Sequence, residues 1–291
     1  MNLINTLKTY QKRCTAPGSP LRYLRKAFVA LRHPGSTLRR ARLGTRLASD
    51  LSADFRSRIA ELNATGYAAA GPEIDAGLLA ELDRAAAAKL QTSGERKKLR
   101  SFFTQITDDS DLHADSIYVR FALQPGIQKI VSAYFGHVPY LADVQVLMSH
   151  GTDNDTWEES QLWHRDYGDS KTIKLWVYLT DVEKPENGPF TYLPVAPSAR
   201  VPNTFIPGRV SDEAMAATGL ADQAVAVYGP RLKSFYIDTA LCYHLGSRLQ
   251  QGQVRVAYIA TYLSHASLYP FNNRIATHGQ LSETEKLLLS I

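Results

Sequence analysis

Apolar residues recur at helical spacing in the first third of the chain and in β-type runs from the middle onward. Leu21, Leu24, Phe28 and Leu31 form one stripe while Arg22, Arg25, Lys26 and Arg32 occupy other positions, so a short basic amphipathic helix is predicted, and His33-Pro34-Gly35 ends it. Residues 55–62 and 75–91 read as two further helices, with Gly66 and Pro72 marking connections. The texture then changes. Stretches 116–123, 140–148, 172–179, 224–228, 233–237 and 253–262 are rich in Val, Ile, Tyr and Phe, are punctuated by Gly and Pro, and read as strands. Near the end, Ser282-x-x-Glu285 before Lys286-Leu287-Leu288-Leu289 is the capping box of a terminal helix. No repeat or linker interrupts the sequence. The pattern predicts an α+β chain with a mainly β core over residues 51–291 and a basic helical extension over residues 1–50.

Composition agrees with a folded domain: of 291 residues, 44% are hydrophobic and 21% charged. A chain of this length buries roughly three quarters of its unfolded surface. No apolar run approaches the ~18 residues of a membrane span, and no uninterrupted apolar block resembles a secretory signal, so a cytoplasmic location is expected. Cys14 and Cys242 are the two cysteines, far apart in sequence, which excludes a disulfide framework and a zinc ribbon.

Charge is unevenly spread. Residues 1–50 hold eleven Lys or Arg against one acid, Asp50, leaving 22 basic and 27 acidic side chains to the other 241 residues, although the whole chain carries +5. A basic amphipathic helix suits peripheral contact with an anionic membrane. The simpler expectation is a helix whose apolar stripe packs on its own domain and whose basic side is solvated. Nucleic-acid binding is not expected, because no basic stripe extends into the β region.

Candidate chemistry concentrates at Gln161-Leu162-Trp163-His164-Arg165-Asp166. In extended backbone, residues i and i+2 face the same way, so His164 and Asp166 present an imidazole and a carboxylate to one point. Two histidines and one carboxylate hold Fe(II) on one face and leave the other positions open. A second such pair, His113-Ala114-Asp115, lies beside the acidic stretch 108–111 and reads as a turn. His244, at the end of an apolar approach from Ser234, is the candidate second histidine, and Cys242 two residues earlier reads as a small buried hydrophobe. Eleven residues beyond His244, Arg255 shares a strand face with Ala257, opposite to Val254, Val256 and Tyr258. An arginine on the inner face of a β core requires an anion, and a carboxylate suits its planar fork. His265, followed by Arg274 with Pro270 between them, is a decoy for the same pattern. The acidic loop of Asp153, Asp155, Glu158 and Glu159 reads as solvated rather than as a site for a cationic substrate.

The order W-H-x-D, a strand with Trp176, Asn187-Gly188-Pro189, then a distal histidine and an arginine eleven residues later resembles the phytanoyl-CoA dioxygenase family of Fe(II)- and 2-oxoglutarate-dependent oxygenases, over roughly residues 53–270. The resemblance implies a double-stranded β-helix, a jelly-roll or cupin-like barrel flanked by helices. It implies His164, Asp166 and His244 as iron ligands, Arg255 as the clamp for the distal carboxylate of 2-oxoglutarate, and Trp176 and Gln145 beside that cosubstrate. It further implies hydroxylation of a C–H bond in a small-molecule or lipid- or carrier-linked substrate, with release of succinate and CO2. Retention of Asp166 disfavours halogenation, for which relatives replace the carboxylate with a small residue. Pro194-Val195-Ala196-Pro197-Ser198 departs from the family's P-G-S-H, the serine expected two places after the distal histidine is Gly246 with Ser247 next, and Ser149-His150 stands where a basic residue is usual. A ligand-binding relative without catalysis, or an enzyme using another metal on the same barrel, is the alternative. Arg255 discriminates, since hydrolysis or isomerisation has no need of a dicarboxylate clamp.

Overall fold

A computed structural model of the chain describes residues 20–92, 98–152, 156–166, 168–202, 208–267, 275–277 and 279–291. Its elements in chain order are α1 (Pro20–Arg32), α2 (Pro34–Ser49), α3 (Ala53–Thr65), β1 (Tyr67–Ala69), α4 (Ala76–Gln91), β2 (Lys98–Arg100), β3 (Phe103–Gln105), α5 (Ile117–Ala122), α6 (Pro125–Phe135), β4 (Tyr140–His150), β5 (Thr172–Tyr178), β6 (Phe190–Tyr192), α7 (Val195–Arg200), α8 (Asp212–Ala216), β7 (Val225–Val227), β8 (Ser234–Asp238), β9 (His244–Leu245), β10 (Val254–Leu263) and α9 (Glu283–Leu288).

Seven strands form one antiparallel sheet in the order β1-β8-β5-β10-β4-β3-β2, and β7-β6-β9 form a second. Strand alternation divides the large sheet into two faces. Val144 and Val146 of β4, Val256, Tyr258 and Tyr262 of β10, and Ile173, Leu175 and Val177 of β5 face the helices and join the largest core cluster with residues of α4, α5 and α6. Leu147, Trp176, Phe235, Ala257 and Ile259 face the other way and pack with Phe190, Tyr192 and Val227 of the small sheet. The candidate residues Gln145, Trp176 and Arg255 lie on this second face.

Local chemistry explains the helix ends. Asp75 caps α4 by accepting from Leu78 N at 2.8 Å, and Ser282 and Glu285 bond each other's backbone at the start of α9 as the capping box predicts. The helix α3 ends at Gly66, whose φ of +83° needs a residue without a Cβ. A Cβ there would also meet Cys242 Sγ at 2.2 Å. The predicted break after Arg32 is found, but Pro34 then opens α2 as its first residue, where a missing N–H costs nothing.

One predicted strand is corrected. The stretch 116–123 holds helix α5 (Ile117–Ala122), capped by Ser116, whose hydroxyl accepts from Val119 N. Tyr118, Val119, Phe121 and Ala122 are buried together between α4 and the sheet, so burial of a continuous apolar run overrides its β propensity. Strands of two or three residues, β1, β2, β3, β6 and β9, were below the length at which alternation is visible. Among the described residues no helix is long and apolar enough to cross a membrane.

α2 docks closely. Gly44 packs on the His137 backbone, and buried Arg40 donates to Val138 O at 3.0 Å, Pro139 O at 2.9 Å and Leu287 O at 2.7 Å. The α1 helix faces opposite to the simpler expectation. Arg25 and Lys26 turn inward, while Leu24, Phe28 and Leu31 are exposed.

Candidate metal centre

His164 lies in the segment before β5 and His244 on β9, and the two residues exchange backbone hydrogen bonds of 2.9 and 2.8 Å. Asp166 N donates to Thr239 O at 2.8 Å, which fixes the other end of the His-x-Asp segment. The loop that delivers Thr239 and His244 is built on Asp238, whose buried carboxylate accepts from Tyr134 Oη at 2.7 Å and from the Ala240 and Leu241 N–H groups. Burial raises the Asp238 pKa to about 6 against the downward pull of those donors.

One ligand atom from each of His164, Asp166 and His244 lies within 4.8 Å of the others, a spacing that can hold one metal ion. Among the described residues no other such group of His, Cys, Asp or Glu is found. Each imidazole Nδ1 is engaged by a backbone carbonyl, Leu162 O at 2.8 Å for His164 and Cys242 O at 3.1 Å for His244. That arrangement fixes the tautomer and leaves Nε2 for a ligand role. Cys242 thus serves through its carbonyl, and its thiol is buried against Thr65 O and Gly66, as a small hydrophobe would be. Burial pushes His164 down to about 4 and holds His244 well below the usual histidine range. Both rings are therefore neutral near pH 7, the form that binds a metal. Burial opposes ionisation of Asp166, but Lys174, with Nζ 2.6 Å from Oδ2, outweighs it and keeps the group a carboxylate.

Arg255 is fully buried on β10, directly opposite Ser149 of β4. Its guanidinium donates to Ser247 Oγ at 2.9 Å, Ser149 Oγ at 3.3 Å and the Gly188 carbonyl, and its Nε has no partner. All three acceptors are neutral, and no carboxylate pairs with Arg255 among the described residues. Burial, which removes the guanidinium from water, lowers its pKa. A buried cation satisfied only by neutral oxygens retains an uncompensated charge, which an incoming carboxylate would neutralise. A Cβ on Gly246, two residues after His244, would lie 3.8 Å from Nη2, so the strand carrying the second histidine passes the guanidinium with no side chain between them.

Gln145, Ile259, Trp176 and Phe235 form one cross-strand row, and Asp143, Thr261, Lys174 and Ile237 the next. A cavity of about 330 Å³ is lined by Gln145, Asp166, Lys174, Ile259 and Thr261, among others. Gln145 donates to Asp143 beside it. Trp176 stacks with Phe235, packs on Phe190 and lies 5.6 Å from the Arg255 guanidinium, with its indole N–H buried and unpaired. Gln145, Trp176 and Arg255 thus share one face of the large sheet, Gln145 lining the cavity and Trp176 lying beside Arg255.

No family model matches the sequence, and no curated protein matches it. Solved structures do. The structure of EctD from S. alaskensis with 2-oxoglutarate and 5-hydroxyectoine aligns with a TM-score of 0.56 at 17% identity, covering 81% of this chain and 86% of that one. The non-heme alpha-ketoglutarate-dependent epimerase SnoN from nogalamycin biosynthesis aligns at 0.55 and 20% identity over 73% of this chain and 84% of its own. The carbocyclase SnoK of the same biosynthesis aligns at 0.51 and 15% over 75% and 85%. The fold is shared with 2-oxoglutarate-dependent non-haem iron enzymes. At these identities the likeness is one of fold, and the chemistry must be argued from the side chains.

Lys174 escaped sequence reasoning, while Ser149, Ser198 and Ser247 were seen only as departures from the family pattern. Lys174 had a signal, since it shares a strand face with Thr172 and Trp176 on β5. Ser247 holds φ +61°, a conformation uncommon for a residue with a side chain. That twist brings its hydroxyl to both Arg255 and Ser149, at 2.9 and 3.1 Å, so the serine displaced by one place from the family pattern still meets the guanidinium. The segment in place of P-G-S-H forms the start of α7, where Ser198 Oγ donates to Leu193 O and accepts from Tyr243 N beside His244. His113 and Asp115 join no cluster, and His265 pairs with Thr37 instead of facing the site. Glu159 makes a surface ion pair with Arg209. Cys14, Asp153, Asp155, Pro270 and Arg274 lie outside the described residues.

Proposed function

We propose that this chain is an Fe(II)- and 2-oxoglutarate-dependent oxygenase of the phytanoyl-CoA dioxygenase type, with the two sheets as the halves of a double-stranded β-helix, and that it hydroxylates a C–H bond of a small-molecule substrate. His164, Asp166 and His244 hold the iron, and Arg255, with Ser247 and Ser149, takes the distal carboxylate of 2-oxoglutarate. The oxidant is O2: bound iron would couple the oxidative decarboxylation of 2-oxoglutarate to succinate and CO2 with hydroxylation of the substrate, one oxygen atom going to succinate and one to the product. The protein's own part is to hold both imidazoles neutral, to keep Asp166 ionised through Lys174, and to line the cavity beside Asp166 with groups that orient a substrate. Trp176 walls the cosubstrate side and Gln145 the cavity side. Of the substrate classes the resemblance implies, a free small molecule fits a cavity of about 330 Å³. A lipid- or carrier-linked substrate would have to present its reacting end there.

The observation that carries this reading is the buried Arg255 without a carboxylate partner, beside the chain that leaves His244 of a 2-His-1-carboxylate cluster. A metal enzyme doing hydrolysis has no use for that buried cation, and a barrel that only binds a ligand has no use for the complete triad. The test is an anaerobic titration of apo-protein with Fe(II) and 2-oxoglutarate, read at the visible charge-transfer band of the chelate. The wild type gives the band and Arg255→Met needs far more 2-oxoglutarate; no band from folded protein rejects the proposal. Incorporation of one oxygen atom from O2 into the substrate product then distinguishes hydroxylation from the epimerisation and ring closure carried out by SnoN and SnoK.

A further inference from the structure

The orientation of α1 is the reverse of what burial normally dictates. An amphipathic helix on a globular surface turns its apolar stripe to the core and its charges to water. Here Leu31 is 82% exposed, Tyr23 68%, Leu24 62% and Phe28 58%, and Leu24, Phe28 and Leu31 stand at i, i+4 and i+7 on one stripe. The polar side faces the protein instead. Arg25 Nε and Nη2 donate to the carbonyls of Ala266 and Ser267, at 3.2 and 3.0 Å, and Lys26 Nζ reaches Ser170 Oγ and stands 3.7 Å from Asp169. Among the described residues no other element carries a comparable contiguous row of exposed large apolar side chains.

We infer that the outer face of α1 is a docking surface for an anionic lipid bilayer. Charge identifies the occupant. Residues 1–49 contain no acid, and Arg32 on α1 with Arg42 and Arg46 on the adjoining α2 are exposed, while Arg39 pairs with Glu283. Apolar side chains that enter the acyl boundary, flanked by cations at the headgroup level, are what an interfacial helix presents. Each cation near an anionic surface strengthens binding on the order of fivefold. A second copy of this chain would oppose two like-charged helices, so self-association is disfavoured. The surface also has a place relative to the cavity. The segments that anchor α1 reach the cavity's rim, since Ser267 Oγ donates to the carbonyl of Gly168, a cavity-lining residue next to Asp169. Docking through α1 would bring that rim to the bilayer.

The inference is independent of iron and 2-oxoglutarate, and its test uses neither. Full-length protein is sedimented with vesicles of phosphatidylglycerol and phosphatidylcholine, and with phosphatidylcholine alone, at about 0.1 M and 0.5 M salt. The expected result is binding to the anionic vesicles that weakens by tenfold or more with neutral lipid or high salt, and again by tenfold or more in a Leu24→Ser/Phe28→Ser/Leu31→Ser variant. These side chains are exposed, so the variant should keep the wild-type melting temperature, and an Arg42→Glu/Arg46→Glu variant provides a second route to the same loss. Wild type remaining in the supernatant with anionic vesicles at low salt overturns the inference. So does equal binding by the triple-serine variant, or a dimer in solution that the variant dissolves without any vesicle binding.

Discussion

β4, β5 and β10 each carry two different sets of side chains on their two faces. Toward the helices, Val144, Val146, Leu175, Val177, Val256 and Tyr258 are apolar or, like Tyr258, satisfied by one hydrogen bond, here to Tyr118 O at 2.7 Å. Toward the small sheet the same strands present Gln145, Ser149, Lys174, Trp176 and Arg255, with an unpaired indole N–H, an unpaired guanidinium Nε and a cation facing only neutral oxygens. One side spends its residues on stability and the other tolerates unsatisfied groups, and the difference teaches that the period of two in a strand lets a single segment serve both ends. Substitutions on the two faces should therefore fail differently.

The largest effect is expected at the triad. His164→Ala or Asp166→Ala should abolish 2-oxoglutarate turnover, measured as succinate release, with the melting temperature nearly unchanged. Normal turnover in either variant would remove iron from this site. On the opposite face, Leu175→Ala should cost about 2–5 kcal/mol in denaturant unfolding, while surviving folded protein keeps its affinity for 2-oxoglutarate. A variant that lost both together would mean that the two faces are not separable.

Arg255→Met should weaken 2-oxoglutarate binding by about 100-fold, on the scale of losing one buried charged hydrogen-bond partner. The same change should leave the apo-protein as stable or make it more so, because an uncompensated buried cation is replaced by an apolar chain of similar length. Marked destabilisation would instead make Arg255 a structural residue. Lys174→Met should lower Fe(II) affinity by about tenfold, since groups that hold a ligand in place typically contribute that much. An unchanged affinity by calorimetry would show that the 2.6 Å pair with Asp166 does not orient it.

The smallest effect concerns pH and lies away from the site. His137 and His265 stack edge to face beneath α2, and burial lowers each to about 4. An unfolded histidine titrates near 6.5. As pH falls, the unfolded chain takes up these protons first, so the contribution is intact above about 6.5 and is lost progressively toward 4. The melting temperature of the apo-protein should decline across that window, and His137→Gln should flatten part of the slope.

Much of the site was legible because it is written in short spacings. His164 and Asp166 share a side by being two apart, and Arg255 is assigned its face by Val254, Val256 and Tyr258 around it. The strands that exceed six residues, β4, β5 and β10, were all visible. The stretch 116–123 was not, since a continuous apolar run is compatible with a strand or a buried helix until its neighbours are known. Ser247 was seen one place out of the family pattern, and only its left-handed backbone explains how it still reaches Arg255. Lys174 alternated correctly on β5, yet nothing local says that Asp166 is across from it.

By itself the sequence determined the residue types, the strand facings and the excess of cations before residue 50, because each depends on positions a few residues apart. Tertiary structure decided which of the seven other histidines meets His164, which oxygens surround Arg255, and which side of α1 faces water. Those outcomes depend on pairings across tens to hundreds of residues, such as His164 with His244 or Arg25 with Ser267, and on how burial is divided among competing partners. A local pattern can offer a side chain to the interior. Only the packed chain determines what it meets there.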